Sequence, residues 1–329
     1  MTEEFIIKTS SGLSYKAHGD ISILESSQQR GYHFEYGCHN GQCGACKTTL
    51  VQGEIVELQG QRSLSDEDIQ AGKILTCCCA PKTDILIDAE DLSALKDIEI
   101  KTLPARIQSI IKYSEHIIEI DLRLPPSVSF RFLEGQYIDV IGPKGVRRSY
   151  SIGNSADKKI IKLFIKRLEL GVMSQYWFQE AKENDLLRIE GPKGSFFFRE
   201  LKKHIVFLAT GTGIAPVKSI LDMLFMRKNL SGDMTFSLYW GNREPKDFFW
   251  QPDYESLALN YTPVLSRKHP DWHGRQGYIQ DAIVEDGIEI KDTQFYACGS
   301  LRMIESAHKK LLAHGLDGKY FHSDAFVSS

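Results

Sequence analysis

Three cysteines fall within nine residues of the stretch CHNGQCGACKTTL, and three more stand side by side in LTCCCAP, of which the first, Cys77, completes a set of four. Their spacing, C-x4-C-x2-C-x30-C, fits the plant-type pattern for a [2Fe–2S] cluster, in which each iron takes two thiolates. The candidate ligands are Cys38, Cys43, Cys46 and Cys77. The spacing therefore predicts an iron–sulfur site in the first quarter of the chain.

The residues beside these cysteines bear on what the loop can hold. Gly41 and Gly44 lack a Cβ, so the backbone can take positive φ and direct N–H groups at cluster sulfurs, where such hydrogen bonds help set the reduction potential. Zinc is the competing metal, but zinc ribbons usually pair two C-x2-C knuckles and this chain has one. Cys78 and Cys79 are interpreted as non-ligands, because consecutive side chains of a strand point to opposite faces.

A second set of residues that could bind a cofactor or take part in its chemistry lies in RRSYSIGN, residues 147–154. Arg148 can clamp a phosphate, while Tyr150 offers a flat aromatic surface and Ser151 a hydroxyl. An ordinary exposed strand is the alternative for this segment taken alone. The segments GQYIDV, GVMSQYWF and GPKGSFFFR accompany it in the chain. The residues at a predicted helix start, a position suited to a diphosphate, are Gly171, Met173 and Ser174.

A third set follows a buried strand in FLATGTGIAP, residues 207–216. Gly211, Thr212 and Gly213 form a turn before a helix, where a dinucleotide can approach the backbone and the helix N-terminus favours its diphosphate. The turn lacks the full G-x-G-x-x-G fingerprint, and the later segments YWGNR and YACGS strengthen the assignment.

The elements that must position these residues fall into three blocks. FIIKTSSGLSYKA alternates like two strands, a short helix and the cysteine loop follow, and CKTTLVQGEIVE predicts a hairpin around Gln52 and Gly53, so the first block is α+β. The second block is mostly short strands broken by proline and glycine, which predicts a small antiparallel β-barrel. In the third block strands alternate with helices, which predicts a doubly wound α/β sheet. The predicted segments are 1–93, a linker over 94–103, 104–200 and 201–329.

Composition and charge set further bounds on the 329 residues, whose net charge is −3. No apolar run is long enough to span a bilayer, and the start, MTEEFIIKTSSG, lacks the apolar core of a secretory signal. We therefore expect a cytoplasmic protein whose cysteines serve metal or redox chemistry, with no membrane or nucleic-acid partner. Residues 1–93 hold 14 acidic against 7 basic side chains. Such a module can steer a charged protein partner, and an ordinary solvated surface is the alternative.

The motifs resemble two known families. Residues 1–93 resemble plant-type [2Fe–2S] ferredoxins, which have a β-grasp fold, and the LTC segment aligns Cys77 as the fourth ligand. Residues 104–329 resemble the ferredoxin–NADP reductase superfamily, on RRSYSIGN and the ordered segments around it. The resemblance implies a bound FAD. It places Arg148 on the flavin diphosphate, Tyr150 against the isoalloxazine and Ser151 near its N5, with Ser149 between them.

The same resemblance assigns roles at the nicotinamide. In YACGS, Cys298 and Gly299 are expected beside the nicotinamide, where Cys298 gates or orients it; a buried small hydrophobe is the alternative role for Cys298. The residues expected to be catalytic are Ser151, Cys298 and Phe326. In SDAFVSS, Phe326 is expected to cover the flavin face that the nicotinamide must reach, and an exposed tail phenylalanine is the alternative. Ser266 and Arg267 could meet a 2′-phosphate, but NADH-using relatives carry the same pair. NADH is therefore expected, with NADPH left open.

These parts predict an order of electron transfer. A hydride carries two electrons and one cluster accepts one, so a flavin that releases electrons singly belongs between them. The predicted path is NAD(P)H to FAD to [2Fe–2S] to an external protein acceptor, which makes the chain an oxidoreductase. Three hypotheses remain open at this point: a reductase for an oxygenase, a reductase for a dehydrase, and a binding protein.

The domain order resembles two groups of reductases. One serves multicomponent oxygenases. The other, the CDP-6-deoxy-3,4-glucoseen reductases of 3,6-dideoxyhexose biosynthesis, serves a dehydrase that carries pyridoxamine phosphate. ILTCCCAPKT, RRSYSIGN and YACGS favour the second group. A redox-sensing or zinc-stabilised binding protein with a vestigial flavin site is the third hypothesis, against which the intact glycines and cysteines argue.

Overall fold

The computed structural model describes residues 3–227 and 234–327, so the last two residues of the SDAFVSS motif lie outside the described part. The chain divides into two compact units. The first comprises Met1–Glu99 and Gly194–Phe196, and the second comprises Ile100–Lys193 and Phe197–Ser329. The predicted domain limits at 93, 104 and 200 stay predictions.

The first unit is built on a mixed sheet with the strand order β2-β1-β7-β3-β5. The hairpin of β1 and β2 is antiparallel, as the alternating sequence predicts, and β1 runs parallel to β7. Ser22 caps α1 by accepting a hydrogen bond from the Glu25 amide. Its elements are β1 (Glu4–Thr9), β2 (Ser14–His18), α1 (Ile23–Gln29), β3 (Lys47–Gln52), β4 (Ile55–Glu57), α2 (Asp66–Gln70), β5 (Lys73–Leu75), β6 (Cys79–Pro81) and β7 (Ile85–Ile87).

The helix α1 and the sheet enclose a core in which Ile7, Ile23, Leu75 and Ile87 are fully buried. This arrangement of a helix packed on a mixed sheet is the β-grasp fold expected for the first block. The cysteine loop connects α1 to β3, and Cys77 follows β5 directly. The sheet therefore brings together two segments that are distant in sequence.

The hairpin predicted around Gln52 and Gly53 is wrong. β3 pairs with β5 and β7, while β4 pairs with β6. Gly53 has a φ of +95°, and a Cβ there would lie 2.3 Å from the carbonyl oxygen of Asp84. The glycine thus lets the chain pass close to the segment before β7, and the strand after it leaves the main sheet.

The first part of the second unit is an antiparallel sheet with the strand order β11-β10-β13-β8-β9-β12, the barrel-like sheet predicted for this block. Its core is aliphatic, with Ile107, Ile120, Val140, Leu163 and Ile189 fully buried. Its elements are β8 (Lys101–Lys112), β9 (Ile117–Arg123), β10 (Tyr137–Ile141), β11 (Arg147–Ser151), β12 (Ile160–Lys166), α3 (Val172–Gln175), a π-helical turn (Tyr176–Glu180) and β13 (Leu186–Lys193).

The second part of this unit is the predicted doubly wound sheet, with the strand order β17-β16-β15-β14-β18-β19. Each neighbouring pair is parallel, so the carboxyl ends of the strands meet at one edge, where ligands bind in sheets of this type. Its elements are β14 (His204–Thr210), α4 (Ile214–Met226), β15 (Thr235–Asn242), β16 (Leu259–Leu265), β17 (Arg275–Gln276), α5 (Ile279–Glu285), β18 (Thr293–Ser300), α6 (Leu301–Ala313) and β19 (Phe321–Phe326).

Candidate functional site

The four candidate ligands of the first unit stand as two pairs of sulfur atoms. The Cys38 amide donates to Cys43 Sγ and the Cys43 amide donates to Cys38 Sγ, both at 3.3 Å. The sulfurs of Cys46 and Cys77 lie 3.2 Å apart. The structure thus brings the distant Cys77 to the loop, in the pairwise grouping that two irons require.

Backbone shape and side-chain amides hold this loop. Gly41 and Gly44 both have a φ of +74°, as the sequence predicts. A Cβ on Gly41 would lie 2.5 Å from the Gly60 carbonyl oxygen and 2.7 Å from Cys78 Sγ, so no larger residue fits there. The Gln59 side-chain amide donates at 2.9 Å to the carbonyl oxygens of both His39 and Cys77. Gln59 therefore ties the loop to the segment of the fourth cysteine, a role that its sequence context does not reveal.

The donor set fits a cluster with two irons. Hydrogen bonds lower the pKa of Cys38 to about 5, first from the Cys43 thiol and then from backbone N–H groups. Paired thiols with amides directed at sulfur suit a [2Fe–2S] cluster better than one tetrahedral zinc ion.

Cys78 and Cys79 are both fully buried. The Cys78 sulfur lies 3.5 Å from that of Cys77 and 3.8 Å from the Gly60 carbonyl oxygen. Burial raises the pKa of Cys79 to about 12. Only Cys79 belongs to β6, whereas Cys77 and Cys78 lie in the turn before it, so the premise that these cysteines alternate along one strand is wrong for Cys78. The interpretation of Cys78 and Cys79 as non-ligands stays a prediction.

The short segment Gly194–Phe196 also belongs to the first unit. The Tyr36 amide donates to Ser195 Oγ at 2.8 Å, and that hydroxyl donates to the Tyr36 carbonyl at 3.0 Å. The Gly194 amide donates to the Tyr36 hydroxyl at 3.0 Å. Tyr36 lies two residues before Cys38, so this segment supports the start of the cysteine loop, a contact that sequence reasoning missed.

In the second unit, β11 carries the predicted flavin residues. The Arg148 guanidinium donates to the carbonyl of Arg147 at 2.9 Å, and Ser149 Oγ donates to Asp139 at 2.6 Å. Burial raises the pKa of Tyr150 to about 12, so its phenol is neutral at physiological pH. Ser151 ends the strand and is buried.

The segment after β12 forms the predicted helix start. Gly171 is the N-cap of α3, and Ser174 Oγ accepts a hydrogen bond from the Leu168 amide at 2.9 Å. Met173 is buried, and a Cβ on Gly142 would lie 2.4 Å from its sulfur. Gly142 therefore leaves room for Met173 beneath this turn.

A carboxylate that sequence reasoning missed joins two of the predicted catalytic residues. Ser151 Oγ donates to Asp324 Oδ2 at 3.4 Å, and the Cys298 sulfur lies 3.9 Å from the same oxygen. Cys298 and Asp324 are directly opposite in the β18–β19 ladder. Burial, and then the charge of Asp324, raises the pKa of Cys298, which keeps it a neutral thiol. The fold thus assembles a hydroxyl, a thiol and a carboxylate from three strands.

The nucleotide turn packs directly on the YACGS turn. A Cβ on Gly213 would lie 2.5 Å from the Cys298 carbonyl oxygen, and one on Gly299 would lie 2.2 Å from Thr210 Oγ1. The Trp240 indole donates to the Gly211 carbonyl at 2.9 Å. The two predicted glycine motifs therefore meet at the carboxyl edge of the parallel sheet, where a dinucleotide is expected.

The remaining predicted residues lie at the ends of strands. Phe326 ends β19 with 40% of its surface exposed, opposite Ser300 in the ladder. Ser266 donates from its amide and its hydroxyl to the Asn242 carbonyl, at 2.9 and 3.1 Å. Arg267 is exposed, and its guanidinium lies 3.9 Å from a carboxylate oxygen of Glu244. Glu244 follows β15 and was not predicted as a site residue.

Comparison with known proteins identifies the class. Models of three families match the chain: a 2Fe-2S iron-sulfur cluster binding domain over residues 7–82, an oxidoreductase FAD-binding domain over 104–198, and an oxidoreductase NAD-binding domain over 207–309. Together with relatives that match nearly the whole chain, they show that the chain belongs to the ferredoxin reductase family of iron–sulfur flavoprotein reductases. It is an oxidoreductase with [2Fe–2S], FAD and NAD domains.

Two relatives place the chain within this family, and one solved structure shares its fold. It is 39% identical to the CDP-6-deoxy-L-threo-D-glycero-4-hexulose-3-dehydrase reductase of Yersinia pestis, over 97% of both chains. It is 30% identical to the phenol hydroxylase P5 protein of Acinetobacter pittii, over 97% of this chain and 93% of the relative. The cytochrome P450 reductase GcoB of Amycolatopsis shares the fold, with a TM-score of 0.75 over 98% of this chain and 99% of the other at 24% identity.

A helix must be long and apolar to cross a bilayer. Across residues 3–227 and 234–327, none is both long and apolar enough to cross a membrane. The cytoplasmic location expected from the sequence stays a prediction.

Proposed function

We propose that this chain passes electrons from NADH through FAD and a [2Fe–2S] cluster to a dehydrase that removes the C3 oxygen of a nucleotide-linked sugar in 3,6-dideoxyhexose biosynthesis. The observation that carries the proposal is the 39% identity, over almost the full length of both chains, to a reductase named for such a dehydrase. The phenol hydroxylase component is less similar, at 30%. The oxygenase reductase is therefore the second candidate.

The cluster is assigned to the paired cysteines of the first unit. Each pair supplies the two thiolates that one iron needs, and amides already point at the sulfurs of Cys38 and Cys43. The proposed ligands are Cys38, Cys43, Cys46 and Cys77. In this assignment Gly41 and Gly44 give the loop the backbone shape that a compact cluster requires.

The flavin is assigned to the barrel. FAD supplies the chemistry that this path needs, because it takes up a hydride and returns the electrons one at a time. Arg148 would hold its diphosphate with the α3 start, and the neutral Tyr150 ring would pack on the isoalloxazine. The residues assigned to the flavin are Arg148, Ser149, Tyr150, Ser151, Gly171, Met173, Ser174 and Phe326.

The nicotinamide is assigned to the two glycine turns at the sheet edge. Gly211, Thr212 and Gly213 form the first turn, and Gly299 belongs to the second. Asp324 orients Ser151 and Cys298 from one oxygen atom, so a hydroxyl and a thiol keep fixed positions where the hydride is exchanged. Positioning of this kind is the contribution that a protein makes to hydride transfer. Phe326, at the end of β19, would leave the flavin face when the nicotinamide arrives.

The preference for NADH over NADPH is assigned to Glu244, whose carboxylate lies near Arg267. The Glu244 carboxylate lies 3.9 Å from the guanidinium that could otherwise bind a 2′-phosphate. It partly neutralises that cation and repels a phosphate dianion, whereas a ribose hydroxyl carries no charge to repel. Glu244 therefore favours NADH over NADPH.

The acceptor is expected to approach the acidic first unit, in which residues 1–93 carry a net charge of −7. A dehydrase with a basic patch would be steered toward it, and salt would screen that attraction. Reduction of the acceptor is therefore expected to slow as ionic strength rises. A rate that is insensitive to ionic strength contradicts this part of the proposal.

Reconstitution with the two candidate acceptors tests the proposed function. The purified chain is mixed with NADH and either a pyridoxamine-phosphate-dependent sugar-nucleotide dehydrase or the oxygenase component of a phenol hydroxylase. We expect NADH-dependent C3 deoxygenation with the first and little turnover with the second. The Cys46→Ser variant is the control, because it should still oxidise NADH through the flavin while losing transfer to the dehydrase. Efficient turnover with the oxygenase alone would contradict the proposal.

A further inference from the structure

A buried tryptophan makes a directed contact with the tyrosine assigned to the flavin. The indole N–H of Trp177 donates to the Tyr150 hydroxyl oxygen at 2.9 Å. The two rings meet edge-on, with centroids 6.1 Å apart and planes at 82°. Trp177 is only 2% exposed, whereas Tyr150 is half-buried, so this hydrogen bond is partly shielded from water.

The backbone around Trp177 departs from a regular helix. α3 ends at Gln175, and Tyr176–Glu180 continues as a π-helical turn in which the Ala181 amide donates to the Tyr176 carbonyl at 2.8 Å. Such turns hold an extra residue, are rare, and occur frequently at functional sites. Here the wide turn carries the indole that reaches β11.

The chemistry of the two groups fixes the direction of the hydrogen bond. An indole nitrogen is only a donor, whereas a phenol oxygen can accept one bond and donate another. Because Tyr150 accepts from Trp177, its own O–H must point elsewhere. Among residues 3–227 and 234–327, no acceptor for that O–H lies within hydrogen-bond distance.

We infer that Trp177 is a positioning residue: it holds the Tyr150 hydroxyl so that its O–H donates to an oxygen atom of the bound FAD while the phenol ring packs on the isoalloxazine. The inference rests on the proposed role of Tyr150. A hydrogen bond received by a hydroxyl also strengthens the one that it donates. Trp177 would therefore affect FAD binding without touching FAD.

Three variants and their combination test this inference in the full chain. Trp177→Phe removes the donor, Tyr150→Phe removes the acceptor, and the double variant removes both. Tyr176→Phe is the matched control, because that hydroxyl contacts Asp185 and not Tyr150. The readout is the FAD dissociation constant, measured by quenching of flavin fluorescence when the deflavinated chain is titrated with FAD. The flavin absorbance spectrum of each loaded variant is recorded as well.

We expect Trp177→Phe and Tyr150→Phe each to weaken FAD binding about two- to tenfold, the range of one neutral hydrogen bond, with Tyr176→Phe unchanged. The double variant should bind FAD no more weakly than Tyr150→Phe, because both changes break the same interaction. Losses that multiply in the double variant would overturn the inference while leaving the role of Tyr150 intact. Unchanged binding in Tyr150→Phe would overturn the assignment of Tyr150, and this inference with it.

A second measurement decides the matter even where Trp177→Phe does not fold. With 15N-labelled tryptophan, the indole N–H resonance of Trp177 is compared between the FAD-loaded wild type and Tyr150→Phe. We expect a clear shift and faster hydrogen exchange in the variant, because the indole loses its acceptor. An unchanged resonance would show that the hydrogen bond is absent in the loaded protein and would overturn the inference.

Discussion

Replacing Gly213 with alanine is the most direct way to disturb the nucleotide edge without touching the flavin residues. Gly213 has an ordinary φ of −60°, so alanine brings no backbone strain of its own there. Its Cβ would lie 2.5 Å from the Cys298 carbonyl oxygen and 2.7 Å from the Gly299 Cα. These neighbours are backbone atoms, which cannot turn away as a side chain can.

The magnitude follows from these distances. Ordinary contact begins at 3.4 Å, so the two turns must separate by about 0.9 Å to accept the methyl group. Misplacement of about 1 Å can cost about a hundredfold in rate when reacting groups must be aligned. We therefore expect flavin reduction by NADH to slow by roughly 10- to 100-fold, together with a loss of about 1–3 kcal/mol in stability from overpacking.

Anaerobic stopped-flow absorbance measures this effect, with flavin bleaching recorded after mixing with NADH. Gly287→Ala is the matched control. Gly287 has a φ of +69°, and an alanine Cβ there would meet no atom within 4 Å, so this variant loses stability without disturbing either turn. Both variants should keep their flavin absorbance and a cluster that dithionite reduces. A wild-type rate in a folded Gly213→Ala variant would refute the reasoning that the turns must stay in contact.

Three further predictions concern the cluster, the nucleotide and pH. Cys77→Ser should abolish the EPR signal of the reduced cluster and leave the flavin spectrum unchanged, whereas Cys78→Ser should keep the EPR signal. Loss of the EPR signal in Cys78→Ser would show that Cys78 is a ligand. Glu244→Ala should raise the NADPH-to-NADH ratio of kcat/KM by about three- to tenfold through loss of a like charge, and an unchanged ratio contradicts the assignment. The pKa of Glu190 is lowered to about 2, first by its hydrogen bond with Arg147, so its stabilising contribution holds above the ordinary value of 4.5 and is lost as pH falls toward 2. The wild type should therefore lose more unfolding free energy than Glu190→Gln between about pH 5 and about pH 3, as measured by urea unfolding. An equal loss in the wild type and the variant would contradict the contribution assigned to Glu190.

The sequence predicts well what depends on local spacing. The cysteine loop and the glycine turns are short, and their chemistry requires particular residues at fixed intervals, so the motifs are visible without a structure. The alternation of strand types likewise predicts the two sheets of the second unit. Gly53 shows the limit: a glycine between two strand-like runs suggests a hairpin, but here it serves close packing against Asp84.

Residues that act through distant partners are harder to find. Asp324 is an ordinary acid near the end of the chain, and only the β18–β19 register and the approach of β11 bring it to Cys298 and Ser151. Trp177 looks like an ordinary apolar residue in a helix, since nothing in its neighbours predicts a π-helical turn. Ser195 meets Tyr36 across more than a hundred residues of sequence.

An anaerobic titration with NADH, followed by absorbance and by low-temperature EPR, tests the central claim most directly. The proposed path predicts bleaching of the flavin together with the rhombic EPR signal of a reduced [2Fe–2S] cluster. Because Cys38, Cys43, Cys46 and Cys77 are the proposed ligands, the signal should disappear when any one of them is replaced by serine. Flavin bleaching without an iron signal in the intact chain would contradict the claim that electrons leave through a cluster.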